Sequence, residues 1–220
     1  MQNKIKVWSL SVRTLHWGLA VTFAVAFYTR HLELMRDIHV QAGYGAGAIL
    51  AARWLIGFIA RDHSGFRRFP LNIKQAAIYL YGLFSGKAKR YLGHNPAGSV
   101  AIYLMLSLGM MSVLTGYMSF NDIALPFLGD WVTIKEAHET LANFWAITIV
   151  IHVAGVVVAS LAHRENLVTA MVTGNKVRQI QHPQSDLIGE VSVTLLMAMI
   201  YLVDIAMRAT GRKGVILHSS

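Results

Sequence analysis

Residues 138–152 read HETLANFWAITIVIH, a largely apolar stretch with a histidine at each end. On a helix this spacing is close to four turns, so His138 and His152 face nearly the same way, about 21 Å apart along the axis. The apolar run continues to about residue 161, which is enough to cross a bilayer. Two imidazoles at opposite ends of one membrane helix suggest two metal centres stacked across the membrane. That reading requires the rest of the chain to supply partners at two depths.

The composition agrees with a membrane protein. The chain has 220 residues, of which 55% are hydrophobic and only 14% charged, against roughly a quarter charged in soluble domains. Its length allows four or five spans with short loops and no large soluble domain. On a soluble protein the net charge of +9 would raise nucleic acid as a partner. Here it is better explained by lysines and arginines gathered on one side of a membrane, so no nucleic-acid partner is expected. The chain has no cysteine, which excludes disulfides, iron–sulfur ligation and CxxCH haem attachment. Any metal must then be held by histidine, methionine or carboxylate. The basic N-terminus shows no cleavage-site pattern and is expected to be retained.

Spans are expected over about 12–29, 39–60, 97–119 and 137–161. His16 lies one turn inside the first, with Arg13 a turn before it on the same face. His39 opens the second. Ala42, Gly43, Ala46 and Gly47 follow it as a small-residue face, suited to close helix packing or to a flat cofactor surface. Arg53 interrupts the second span fourteen residues after His39, facing the same way. A buried arginine in a span calls for an anionic partner. The third span contains no histidine, and His94, Asn95 and Pro96 precede it. Asn95 is a good N-cap and Pro96 a good first helical residue. His94 is either a loop residue beside that cap or part of a ligand pocket.

The connections fix an expected orientation. Segment 61–95 carries Arg61, Arg67, Arg68, Lys74, Lys87, Lys89 and Arg90 against the single acid Asp62, and its apolar middle, 72–84, fits an interfacial helix. The 30–38 and 120–135 connections are not basic. The N-terminus is therefore expected on the inner side of the membrane. Residues 1–176 form the expected membrane domain. The extension 177–220 holds an apolar segment, 189–207, that suits either a fifth span or an interfacial helix.

With this orientation the histidines sort by depth: His16 with His152 on the inner side, His39 with His138 on the outer side. Two imidazoles per layer, without cysteine or carboxylate, match a b-type haem with both axial positions filled. Zinc would want four ligands in one place. The expected fold class is all-α, an integral membrane four-helix bundle with two b haems. Arg13 and Arg53 fall within reach of the inner haem's propionates. A membrane histidine can also bond a neighbouring helix or serve a proton path, but four at matched depths favour ligation. His31, His63, His163, His182 and His218 fall in loops or tails.

The motifs RTLHW, IHVQAGYG, GHNPAG, AHETLAN, IHVAGV and HRENL, in this order, resemble the bacterial cytochrome b561 family over about residues 5–176. The resemblance is nearest to b-type cytochrome subunits of nickel–iron hydrogenases and diverse cytochromes c. It implies a bundle holding two b haems, ligated by His16 with His152 and by His39 with His138. The function it implies is electron transfer between the quinone pool and a periplasmic partner, a cytochrome c or an enzyme subunit. Related formate dehydrogenase subunits bind quinone at an asparagine opening the third span, which corresponds to Asn95, beside His94. One branch of the family is a superoxide oxidase that reduces quinone, an alternative from a different class. A haem-free membrane anchor is the third. GHNPAG and HRENL look more like the partner-coupled branch.

Overall fold

The computed structural model describes residues 4–62, 64–87, 89, 91, 93–123 and 131–177. The 189–207 segment lies outside the described residues. Among the described residues, four helices are long and apolar enough to cross a membrane. They are α1 (Leu10–Thr29), α2 (Arg36–Ile59), α4 (Pro96–Phe120) and α5 (Trp131–Ala162). Between them come the short α3 (Ile73–Phe84) and, after α5, α6 (Leu167–Thr173). The protein is an all-α membrane helical bundle.

The helices begin where a polar side chain can take over an orphaned backbone donor. Ser9 caps α1, Asn72 caps α3, Asn95 caps α4 and Asn166 caps α6, each accepting from an N–H three residues on. The 20 residues of α1 span about 30 Å, matching the hydrocarbon core. The 32 residues of α5 reach about 48 Å, so that helix must tilt or project beyond the core.

Helix α1 packs on α2, α4 on α5, and α2 on α4, while α3 lies against α4. The bundle centre is Ala46, Leu50, Leu106 and Trp145, with Phe23 and Ile149 packed against them. Leu50 is wholly buried. Outward faces stay apolar: Val21, Leu55, Phe58, Leu104, Leu114, Phe144 and Ile151 are all exposed, as lipid requires.

One end of the bundle is closed by a clasp. Strand β1 (Lys4–Lys6) pairs antiparallel with β2 (Asn175–Val177), Ile5 opposite Lys176. The Val7 and Trp8 amides both donate to the Gly174 carbonyl, at 2.8 and 3.1 Å. Gly174 ends α6 in the left-handed region at φ 82°. A Cβ there would stand 2.8 Å from the Trp8 carbonyl oxygen, so glycine suits both the turn and the approach. The start of α1, the end of α2 and the start of α4 meet at this end, where Trp8 and Phe69 both lie against His94. This end also carries Arg61, Arg67, Arg68 and Lys74, and is called the basic end below.

At the basic end, α3 docks on α5 through Tyr79 and Leu83, which meet Val158 and Ala162. The Tyr79 hydroxyl lies 3.2 Å from His163 Nε2. Burial, then neighbouring Tyr91, push the Tyr79 phenol up to about 12.

Candidate functional site

The structure brings His39 and His138 together across α2 and α5. Their ring centroids are 6.2 Å apart and their planes 80° apart. His39 Nδ1 lies 2.8 Å from the Ala26 carbonyl oxygen, and His138 Nδ1 lies 2.8 Å from that of Ser112. A carbonyl only accepts, so each Nδ1 carries the proton and each Nε2 keeps its lone pair. Both rings are held by the other nitrogen in the manner of metal-binding imidazoles. Gly116 makes room for one of them: a Cβ there would stand 2.9 Å from His138 Cε1.

The spacing has a chemical reading. A ligating imidazole nitrogen sits about 2 Å from its metal, and the ring centre about 1 Å further back. Two imidazoles on opposite sides of one metal therefore place their centroids roughly 6 Å apart. Among the described residues, no group of three or more His, Cys, Asp or Glu is placed to hold a metal ion. Two opposed imidazoles are a donor set that a haem could use.

His16 of α1 and His152 of α5 lie near each other, nearer the basic end. The His16 ring stands edge-on to Trp17, with centroids 5.3 Å apart. This layer differs in its polar bookkeeping. His16 Nδ1, Arg13 Nε and Arg53 Nη1 are buried and make no hydrogen bond to a described residue.

Both arginines are otherwise anchored. Arg13 Nη1 donates to the Val172 carbonyl. Arg53 Nη2 donates to the Ser64 carbonyl at 3.2 Å, and its guanidinium lies 5.6 Å from the Phe66 ring centre. Each thus presents an unmatched buried nitrogen, suited to an anion.

His94 sits in an aromatic cluster at the start of α4, 4.6 Å from Trp8 and 4.5 Å from Phe69 between ring centroids. The Asn95 side-chain oxygen accepts from the Gly98 amide at 2.7 Å, so it is spent on the cap. Asn95→Ala is expected to lower stability by about 1 kcal/mol, measured as an earlier melt of the detergent-solubilised protein, while Asn95→Ser largely preserves it. An unchanged melt in the alanine variant would show that the cap is dispensable.

The small-residue face of α2 divides its work. A Cβ on Gly47 would come within 2.8 Å of Val113, so this glycine serves contact with α4, whereas one on Gly43 would meet open space. Gly43 lies one turn from His39.

Between the two layers lies a residue that the histidine pattern alone did not single out. Trp145 stands seven residues from both His138 and His152, hence on their face of α5. It is buried and meets Phe23 of α1 edge-on, with centroids 4.9 Å apart. Phe23 itself lies seven residues beyond His16. The heptad spacing was the readable signal.

Comparison with known proteins agrees with this architecture. The profile of the prokaryotic cytochrome b561 family matches residues 7–174. A probable Ni/Fe-hydrogenase B-type cytochrome subunit of Cupriavidus necator is 21% identical over 207 residues, covering 76% of this chain and 85% of the relative. One of the same description from Rhodobacter capsulatus is 23% identical over 216 residues, covering 80% and 82%. No solved structure matches the chain. With the family profile running from the first buried residues of the clasp to the end of α6, the chain belongs to the prokaryotic cytochrome b561 family.

Proposed function

We propose that the protein is a di-haem b-type cytochrome that carries electrons between the quinone pool and a redox partner on the far side of the membrane. The observation that carries this reading is the His39–His138 pair: a 6.2 Å centroid separation with both Nδ1 atoms tied to carbonyls. In this reading His39 and His138 hold one haem, and His16 and His152 hold the other. Haem held there would supply one-electron exchange.

The residues of the chain define the surroundings. Arg13 and Arg53 would offer their unmatched nitrogens to the propionates of a haem held by His16 and His152. Their buried, unmatched nitrogens support that role. Gly43 leaves room beside His39 for the macrocycle. Quinone binds at the basic end near segment 87–96, with His94 and its aromatic neighbours as the wall. Asn95 contributes there mainly by fixing the start of α4.

The concentration of lysine and arginine at the basic end supports a cytoplasmic placement of that end, in the bacterial inner membrane. Residues 1–176 form the di-haem unit in this reading. The partner is a periplasmic redox protein, and the hydrogenase cytochrome subunits among the relatives favour an enzyme subunit over a soluble cytochrome c.

A reduced-minus-oxidised absorbance spectrum with a haem-to-protein ratio tests the proposal. The expected result is two low-spin b haems per chain. One haem would make one histidine layer structural, and none would overturn the reading.

A further inference from the structure

Helix α3 carries two apolar stripes, and the fold covers only one. Ala76, Tyr79 and Leu83, spaced i, i+3 and i+7, are buried, and the latter two pack on α5. Ile73, Ala77 and Leu80, spaced i, i+4 and i+7, lie on the adjoining face and are exposed. Leu71, just before the helix, and Tyr81 are exposed as well. With 12 residues, α3 is about 18 Å long and cannot cross a bilayer.

The charges around this stripe have one sign. Arg67 and Arg68 precede α3, Lys74 lies in its first turn, and Lys87 and Lys89 follow it; all five are exposed. None of the five is in an ion pair among the described residues. The single acid of segment 61–95, Asp62, lies outside the helix. Its carboxylate accepts from the amide and the hydroxyl of Ser64, so it is turned to holding the loop. An uncovered apolar stripe bordered by unpaired cations is complementary to a surface that is apolar below and anionic above.

We propose that α3 and its flanking cations bind the headgroups of anionic phospholipids. Ile73, Ala77 and Leu80 sit in the interfacial layer, while Arg67, Arg68, Lys74, Lys87 and Lys89 meet the phosphates. This surface is separate from both histidine layers and stands whether or not the redox reading does. It needs only that the bundle spans a membrane.

The test is equilibrium binding of fluorescent phosphatidylglycerol and phosphatidylcholine, with identical acyl chains, to the full chain in uncharged detergent micelles. The intact protein should prefer phosphatidylglycerol by at least a hundredfold. Each cation near an anionic surface contributes roughly fivefold, so K74Q/K87Q/K89Q should lower phosphatidylglycerol binding by about a hundredfold and leave phosphatidylcholine unchanged. These lysines are exposed, and an unchanged melt will show that the variant folds. Should it melt early, the unmodified protein in 1 M salt gives the same answer, because screening to about 3 Å should erase the preference. Equal affinity for the two lipids would overturn the proposal and leave the patch to an acidic protein. A preference that survives both the lysine substitutions and high salt would also overturn it.

Discussion

His138→Ala is expected to lower the haem content of the purified protein from two per chain to one and to leave the other haem low-spin. The argument begins with the two nitrogens of the ring. His138 Nδ1 is committed to the Ser112 carbonyl, so Nε2 alone is free to ligate, and no other side chain replaces it. The described residues contain no third histidine, cysteine or carboxylate placed to complete a metal group with this pair. On the proposed ligation, the variant leaves His39 as a single ligand. The layer of His16 and His152 lies about two helical turns beyond Trp145 and draws on different side chains. Its spectrum should persist. A haem-to-protein ratio and the reduced-minus-oxidised spectrum measure both halves of the prediction. Two retained low-spin haems would show that His138 is not a ligand, and loss of both would show that the layers are one cooperative unit. Gly116→Ala offers a graded version, since the added methyl would stand 2.9 Å from His138 Cε1. It should displace the ring and weaken haem retention without removing a ligand.

The sequence made the bundle legible because membrane spans are written in long apolar runs, and the two layers legible because four histidines recur at matched depths. Other features leave no such trace. The carbonyls of Ala26 and Ser112 that fix the two imidazoles are backbone groups, and their positions follow from helix packing, not from side-chain identity. The clasp of β1 and β2 pairs segments of 3 residues each, too short to show a strand period. Its partners also lie at opposite ends of the described chain. Helix α5 starts at Trp131, ahead of the apolar run, because WVTIKE is compatible with a helix yet carries charge, so hydropathy marks only the part inside the membrane. Arg53 shows the mixed case. Its burial in a span announced a partner, but the partners found, the Ser64 carbonyl and the Phe66 ring, lie in a loop whose course the sequence does not dictate. What remains open on that guanidinium is the buried Nη1, which is the part a bound anion would need.

Trp145→Ala is expected to cost about 3–5 kcal/mol of stability, seen as a melting temperature lower by roughly 10 °C. The indole is only 6% exposed and fills the space between the two histidine layers, against Phe23, Leu50 and Leu106. Its fit against α4 depends on a glycine: a Cβ on Gly109 would stand 2.7 Å from Trp145 Cζ2. This closeness turns the prediction into a cycle. In the native background Gly109→Ala overpacks the core and should destabilise by about 1–3 kcal/mol. In the Trp145→Ala background the same methyl enters the vacated space and should cost little or restore part of the loss. The pair should therefore show a coupling of at least about 1 kcal/mol, well above the scatter of independent sites. Strict additivity would mean that α4 and α5 do not meet at this contact. Trp145→Phe keeps one ring against Phe23 and should lose less than half of the alanine deficit. Because Trp145 lies seven residues from His138 and from His152, the alanine variant removes the packing that fixes both at once. Haem loss from the two layers should then rise together, whereas a histidine substitution affects one layer alone. That contrast separates a residue that ligates from one that sets the frame in which ligation occurs.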